Sequence, residues 1–311
     1  MSARIRRNLV EQVAEAAIES VWVQWRSLGS HITAKGQARW IVDPEALVLI
    51  SLALRDYERR LWDVLASWAK TGSKLLSVQR MKNLQSSYPG QTTERLAEFA
   101  RIAFEEGGDH RWRKLAGAEP GPRARDQRLR STSPKAWHPA ALMVRLRLGI
   151  GVGLPADILT FLLSLRGGWA SARMIAEATN YTVYGIRRTA DRMAAAQLIE
   201  STTEKPLEYR AASKAWKPVL GLVGEVPPWR FWYQTYTFVA DLVWKAQERE
   251  FEAPSPYLLS SRLRDLAEKH QDALRLNRIP SPEPSQFIGD EYLVAFEEIA
   301  ESLARWMSRG V

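Results

Sequence analysis

The 311-residue chain contains no cysteine. That absence removes disulfides, thiolate metal centres and cysteine nucleophiles together, and it fits a reducing, cytoplasmic setting. Histidine is scarce as well. His31, His110, His138 and His270 stand far apart, none at ligand spacing from another, so no metal site is expected. Long apolar runs are also missing: "ALVLISLAL", Ala46 to Leu54, falls well short of the roughly 20 residues that span a bilayer. The opening "MSARIRRNLV" is basic but soon meets Glu11, Glu15 and Glu19, unlike a signal or transit peptide. No membrane association is expected.

Signatures of catalysis are lacking too. "LGIGVG", Leu148 to Gly153, has no preceding strand and no third glycine where a dinucleotide fingerprint needs one, and there is no Walker-type phosphate loop. Gly29-Ser30 begins a nucleotidyltransferase-like motif, yet no Asp-x-Asp pair exists to hold its metals. "FEEGGDH", Phe104 to His110, reads as the polar end of a helix rather than an acid–base centre. No catalytic residue and no cofactor are expected, and the chain is not read as an enzyme.

What the chain does have is apolar material and positive charge. Hydrophobic residues make up 46%, tryptophans number 13, and 44 Lys+Arg against 35 Asp+Glu give a formal charge of +9. Most of that excess lies between residues 111 and 147, where ten basic groups face only Glu119 and Asp126. A basic stretch of this density favours a polyanionic partner.

Helical periodicity runs through the N-terminal third. Ile5, Leu9, Val13, Ala17, Val21, Trp25 and Leu28 form one stripe, suited to packing on its own domain or to dimerisation. "VDPEALVLISLAL" offers Asp43 as N-cap and Pro44 at the first helical position of a segment apolar on nearly every side. "LWDVLASWAKTGSKLLSVQRMKNL" can be laid over "ADILTFLLSLRGG-WASARMIAEA": an apolar helix, a glycine turn, a serine cap and a short second helix. The N-terminal domain, residues 1–116, therefore reads as helical, with a degenerate repeat of the module that follows as one option. Residues 117–139, with four prolines and Arg123, Arg125, Arg128 and Arg130, read as a basic linker, either a solvated tether or an arm following DNA phosphates. After Leu222 a tryptophan-rich stretch with three long helical segments predicts a C-terminal helical domain, residues 223–311.

The middle domain, residues 140–222, carries the most specific pattern. A helix over about Ala156 to Leu165 is stopped by Gly167-Gly168. Ser171 caps a second helix, with Ile175 and Ala176 facing inward, and Asn180 and Tyr181 make the turn. Thr182 caps a third helix. Val183, Ile186, Ala190, Met193 and Gln197 fall on one side, while Tyr184, Arg188, Arg192 and Ala195 fall opposite, flanked by Arg187 and Asp191. "IESTT", a turn at Glu204-Lys205-Pro206 and the alternating "LEYRA" read as a two-stranded ribbon.

Residues 154 to 212, in "SARMIAEATNYT", in "TVYGIRRTADRMAAAQLIE" and in the ribbon, resemble the winged helix-turn-helix domains of bacterial transcription regulators, the MarR-like and ArsR-like groups. The resemblance implies a mainly α-helical, multi-domain protein with a small two-stranded wing. It also implies a helix from Thr182 to Gln197 entering a major groove and a loop near Lys205 touching backbone or minor groove. Thr182, Tyr184, Arg187, Arg188, Arg192 and Lys205 become candidate DNA contacts, with Arg123, Arg125, Arg128 and Arg130 adding salt-sensitive affinity. Double-stranded DNA and a second copy of the chain are the expected partners. Winged helices also bind proteins, so an antitoxin-like or adaptor role, with the C-terminal helices holding a partner protein, is the other reading.

Overall fold

A computed structural model describes residues 3–30, 36–118, 137–221, 224–252, 255–283 and 286–309, the first few by backbone alone. The linker arginines Arg123, Arg125, Arg128 and Arg130 and the side chain of Ile5 lie outside what it describes. Among the described residues the chain forms fourteen α-helices and a three-stranded antiparallel sheet, so it is mainly α-helical. No helix among them is long and apolar enough to cross a membrane.

Packing begins at α2 (Pro44–Ala53). Asp43 caps it, its Oδ1 accepting from the Ala46 N–H at 3.1 Å, and Pro44 occupies the first turn, as its sequence predicts. All ten residues of α2 are buried, so it must be covered on every side. Cover comes from α1 (Ala3–Ser27), α3 (Leu61–Thr71), α4 (Val78–Gln85) and α5 (Gly90–Glu105) before it in space and from α11 (Trp232–Gln247) across it. α1 in turn lies along α14 (Tyr292–Ser308), and α12 (Pro256–Lys269) and α13 (Gln271–Leu276) close the bundle.

Helices of the N-terminal and C-terminal segments, read from the sequence as two domains, share one hydrophobic core. Val13, Val21, Leu47, Leu96, Tyr236, Phe296 and Leu303 belong to one continuous core, because the all-round apolar α2 is covered by a helix nearly two hundred residues away and the stripe of α1 by one nearly three hundred away. Among the described side chains of this stripe, Leu9, Val13, Ala17, Val21, Trp25 and Leu28 are all buried inside the chain. Tryptophans of the C-terminal segment also turn inward. Trp306 and Trp40 hold the guanidinium of Arg230 between their rings, at 4.0 and 3.9 Å, and Trp232 is 2% exposed, its Nε1 donating to the Ile41 carbonyl at 3.0 Å. Burial pulls Arg230 down to about 9, while the ring faces attract the cation.

A second core gathers α6 (Leu142–Ile150), α7 (Leu154–Ser164), α8 (Ala172–Thr179), α9 (Val183–Ala195) and the strands β1 (Ala170–Ser171), β2 (Glu200–Ser201) and β3 (Glu208–Arg210), with α10 (Ser213–Val219) behind them. Sheet order is β1-β3-β2, with Ala170 opposite Tyr209 and Ser201 opposite Tyr209 on the other side. The ribbon read from the sequence is present, and β1 adds a third strand. Two residues are too short to leave an alternating pattern, so β1 carries no sequence signal.

The N-terminal body repeats the helix order of this module. α3 and α7 are each eleven residues long, α4 and α8 eight, and Ser77 and Ser171 cap the short helices at the same 3.2 Å. Their third helices differ in balance: α5 shows Glu94, Arg101 and Glu105 to solvent, whereas α9 shows Arg187, Arg188 and Arg192 with Asp191.

Candidate nucleic-acid interface

α9 begins where Thr182 Oγ1 accepts from the Gly185 N–H at 3.1 Å. A Cβ on Gly185 would stand 3.0 Å from that oxygen, so glycine lets the cap sit close. Ile186, Ala190 and Met193 are buried and hold the helix on α7 and α8. Two residues assigned to this inner face depart from it: Val183 is 39% exposed, and Gln197 is exposed because the helix has already ended. Gln197 adopts φ +59°, its N–H bonding the Ala194 carbonyl while Leu198 N–H reaches back to Met193. That is a Schellman stop, the position where glycine is favoured. Gln197→Gly is accordingly expected to raise thermal stability by about 0.5–1 kcal/mol with the fold unchanged, read as a higher melting temperature.

The outer face of α9 is open. Tyr184 is 75% exposed, and Arg187, Arg188 and Arg192 are exposed as well. Among the described residues none of these three arginines has a carboxylate at ion-pairing distance. Helical spacing places Tyr184, Arg188 and Asp191 in line, with Arg187 and Arg192 on either side. Asp191, the one acid on this face, accepts a 2.6 Å hydrogen bond from the buried Tyr209 of β3. Burial, reinforced by Asp191, pushes the Tyr209 hydroxyl above its ordinary value, so it stays protonated as the donor. This bond locks the sheet to α9, and sequence reading missed it because its two ends lie 18 residues apart in different elements.

Lys205 sits exposed in the turn between β2 and β3, the place its sequence context predicts. Arg210 is taken up internally, paired with Glu200 and lying 4.5 Å over the Trp169 ring. Thr182 is present on the surface but its oxygen is committed to the cap. Of the residues proposed from sequence, α9 therefore brings together Thr182, Tyr184, Arg187, Arg188 and Arg192; Lys205 stands on the adjoining ribbon; the four linker arginines lie outside the described residues.

Behind this face lies a buried ion network that sequence reading did not see. Arg147 of α6 donates to Asp157 of α7 at 2.8 Å and to Glu45 of α2 at 2.6 Å. Arg80 of α4 donates to Glu45 at 2.7 Å, to both oxygens of Asp43, and through Nε to the Thr179 carbonyl at the end of α8 at 2.7 Å. The Tyr181 hydroxyl, in the α8–α9 turn, donates to Asp157 Oδ2 at 3.0 Å and lies 3.1 Å from the Ser77 hydroxyl. All five charged side chains are essentially inaccessible. Burial alone would push the Glu45 carboxyl up, yet Arg147 and Arg80 outweigh it and hold Glu45 below the usual carboxylate range. The same balance holds both guanidinium groups above their ordinary value.

The basic run at residues 111–147 is correspondingly smaller as a surface feature than its composition implies. Arg147 is wholly buried, Arg111 is paired with Asp109 at 2.7 Å, and Arg145 donates to the Leu220 and Trp137 carbonyls. Among the described residues no group of three His, Asp or Glu side chains could hold a metal. Compared with known proteins, the chain matches no family model, no curated protein and no solved structure.

Proposed function

We propose that the chain is a DNA-binding transcription regulator in which α7, α8, α9 and the β2–β3 ribbon act as a winged helix-turn-helix. The observation that carries this reading is the outer face of α9: three exposed arginines and an exposed tyrosine, with no internal acid consuming the arginines. A protein surface that needed those charges for its own stability would pair them; a surface left this way suits phosphate oxygens and guanine edges. Lys205 on the ribbon tip would add a backbone contact, and the linker arginines would add counterion-releasing affinity. The buried network supports the same reading mechanically, since Arg80 holds the Thr179 carbonyl and the Tyr181 hydroxyl meets Ser77 of the body and Asp157 of α7, which restrains the α8–α9 turn. Two copies on a two-fold site would bring two such helices to successive major grooves.

Selection of bound fragments from a random duplex pool tests the proposal. Enrichment of a motif, with affinity falling as a steep power of salt concentration, is the expected result. A pool that stays random while the protein remains folded would overturn it. Co-purification of a stoichiometric protein partner without DNA retention would favour the adaptor role instead.

A further inference from the structure

Between the α8–α9 turn and the helical body opens a cleft of about 620 Å³, within the range of small-molecule sites. Its walls are the α4–α5 connection, the last turn of α8, one face of α11 and the junction of α12 with α13.

Asp241 of α11 is the group that stands out. It is 6% exposed, and its Oδ2 accepts from Lys269 Nζ at 2.6 Å and from His270 Nε2 at 2.9 Å. Its Oδ1 has no protein partner among the described residues, yet it is not sealed from solvent. A nearly buried carboxylate with one free oxygen, lining a cleft, is built to accept a hydrogen bond from what enters. Burial alone would raise this carboxyl, but His270 and Lys269 outweigh that and hold it at about 2, so it is ionised throughout the physiological range.

The surroundings select the charge of the guest. Glu177, Glu250, Asp272 and Asp241 line the cleft; Lys245 pairs with Glu250, Lys269 with Asp241, and Arg275 with both Glu177 and Asp272, so four carboxylates meet three cations and the free Asp241 oxygen is the open acceptor. Trp244 and Tyr233 line it as well. One net negative charge and an open carboxylate oxygen beside aromatic side chains favour a cation over an anion.

We infer that this cleft binds a small organic cation, a primary ammonium or amidinium compound, through Asp241 Oδ1 and the aromatic side chains of α11. The site also bears on α9. Gln234 donates to the Glu177 carbonyl in the last turn of α8 at 3.2 Å, and Arg275 reaches the Glu177 carboxylate at 3.3 Å. A guest between α11 and that turn shifts the pose of α9 and with it the affinity for DNA, a coupling that rests on the DNA-binding reading above.

Calorimetric titration of the full chain with tyramine, agmatine, spermidine and benzamidine tests the site, with 4-hydroxyphenylpropionate as the matched anion. At least one cation binds saturably and the anion does not. Asp241→Asn weakens the binding at least about tenfold, by loss of a charged acceptor. Lys269→Met acts in the opposite direction: Lys269 is 58% exposed, its removal leaves the fold intact, and freeing Asp241 from its competitor tightens binding severalfold. Damage to the fold cannot produce both signs. Silence from all four cations, binding of the anion in their place, or weaker binding in Lys269→Met overturns the site. Retardation of a selected duplex with and without the bound cation tests the coupling separately: cation binding without any DNA retention sinks the regulator reading and leaves the site standing, while unchanged DNA affinity sinks the coupling alone.

Discussion

Arg147→Met lowers the unfolding free energy by about 3–5 kcal/mol, measured by urea denaturation at pH 7. Removing one member of a buried ion pair leaves its partner charged, dry and uncompensated, and that is the costly event rather than the loss of attraction. Here Arg147 is the sole guanidinium on Asp157 and one of two on Glu45. Adding Asp157→Asn to the variant recovers part of the loss, because the orphaned charge goes with it.

The acid dependence of stability is weaker in the variant than in the wild type. In the wild type Glu45 titrates below its unfolded value, so the folded state binds fewer protons. Its contribution is complete above the unfolded carboxylate pKa and is lost as pH falls through the lower folded value. In Arg147→Met one of the two guanidinium groups that hold Glu45 down is gone, so burial weighs more, the carboxyl rises from its wild-type value and less stability is lost as pH falls. A variant whose stability falls with acid as steeply as the wild type's would show that the network is not held together by charge compensation.

Arg188→Ala/Arg192→Ala is expected, on the DNA-binding proposal, to reduce affinity for a selected duplex at least about 30-fold at fixed salt, since each well-placed base contact is worth about 1–3 kcal/mol. If one of the two arginines contacts phosphate instead, the slope of log K against log salt falls by about 0.9 for that contact. Both side chains are exposed and carry no internal bond among the described residues, and alanine is the best helix former, so the melting temperature is unchanged or slightly higher. Unaltered retardation in the double variant would move the interface away from α9.

How far these features could be read from sequence depends on the distance over which each is decided. Asp43, Ser77, Ser171 and Thr182 each cap a helix by accepting from an amide three residues on, and such local chemistry is visible in any window containing both ends. The helix order of residues 154–195, the inward set Ile175, Ala176, Ile186, Ala190 and Met193, and the exposure of Tyr184, Arg187, Arg188 and Arg192 were legible for the same reason.

The failures are all long-range or conformational. Gln197 continued the helical period on paper, but the chain turned left-handed there. Arg147 counted toward a basic surface because its partner Glu45 lies 102 residues earlier. The stripe of α1 suited a dimer as well as a core, and the α14 that covers it lies nearly three hundred residues away. Tyr181 passed for a turn residue, whereas its hydroxyl is part of the charge network.

The shared core also sets an order for folding during synthesis. The second core needs Ile41 and residues 142–226, all of which have been made by the time Val226 is added. The first core needs α11 and α14, and the stretch from Val144 to Trp232 alone takes roughly 4–18 seconds at about 5–20 residues per second. The inserted module can thus close before the body that carries it, while the faces of α1 and α2 that the last helices cover remain bare. A ribosome stalled once Val226 has cleared the exit tunnel would present a finished module on a half-built, chaperone-attracting stem.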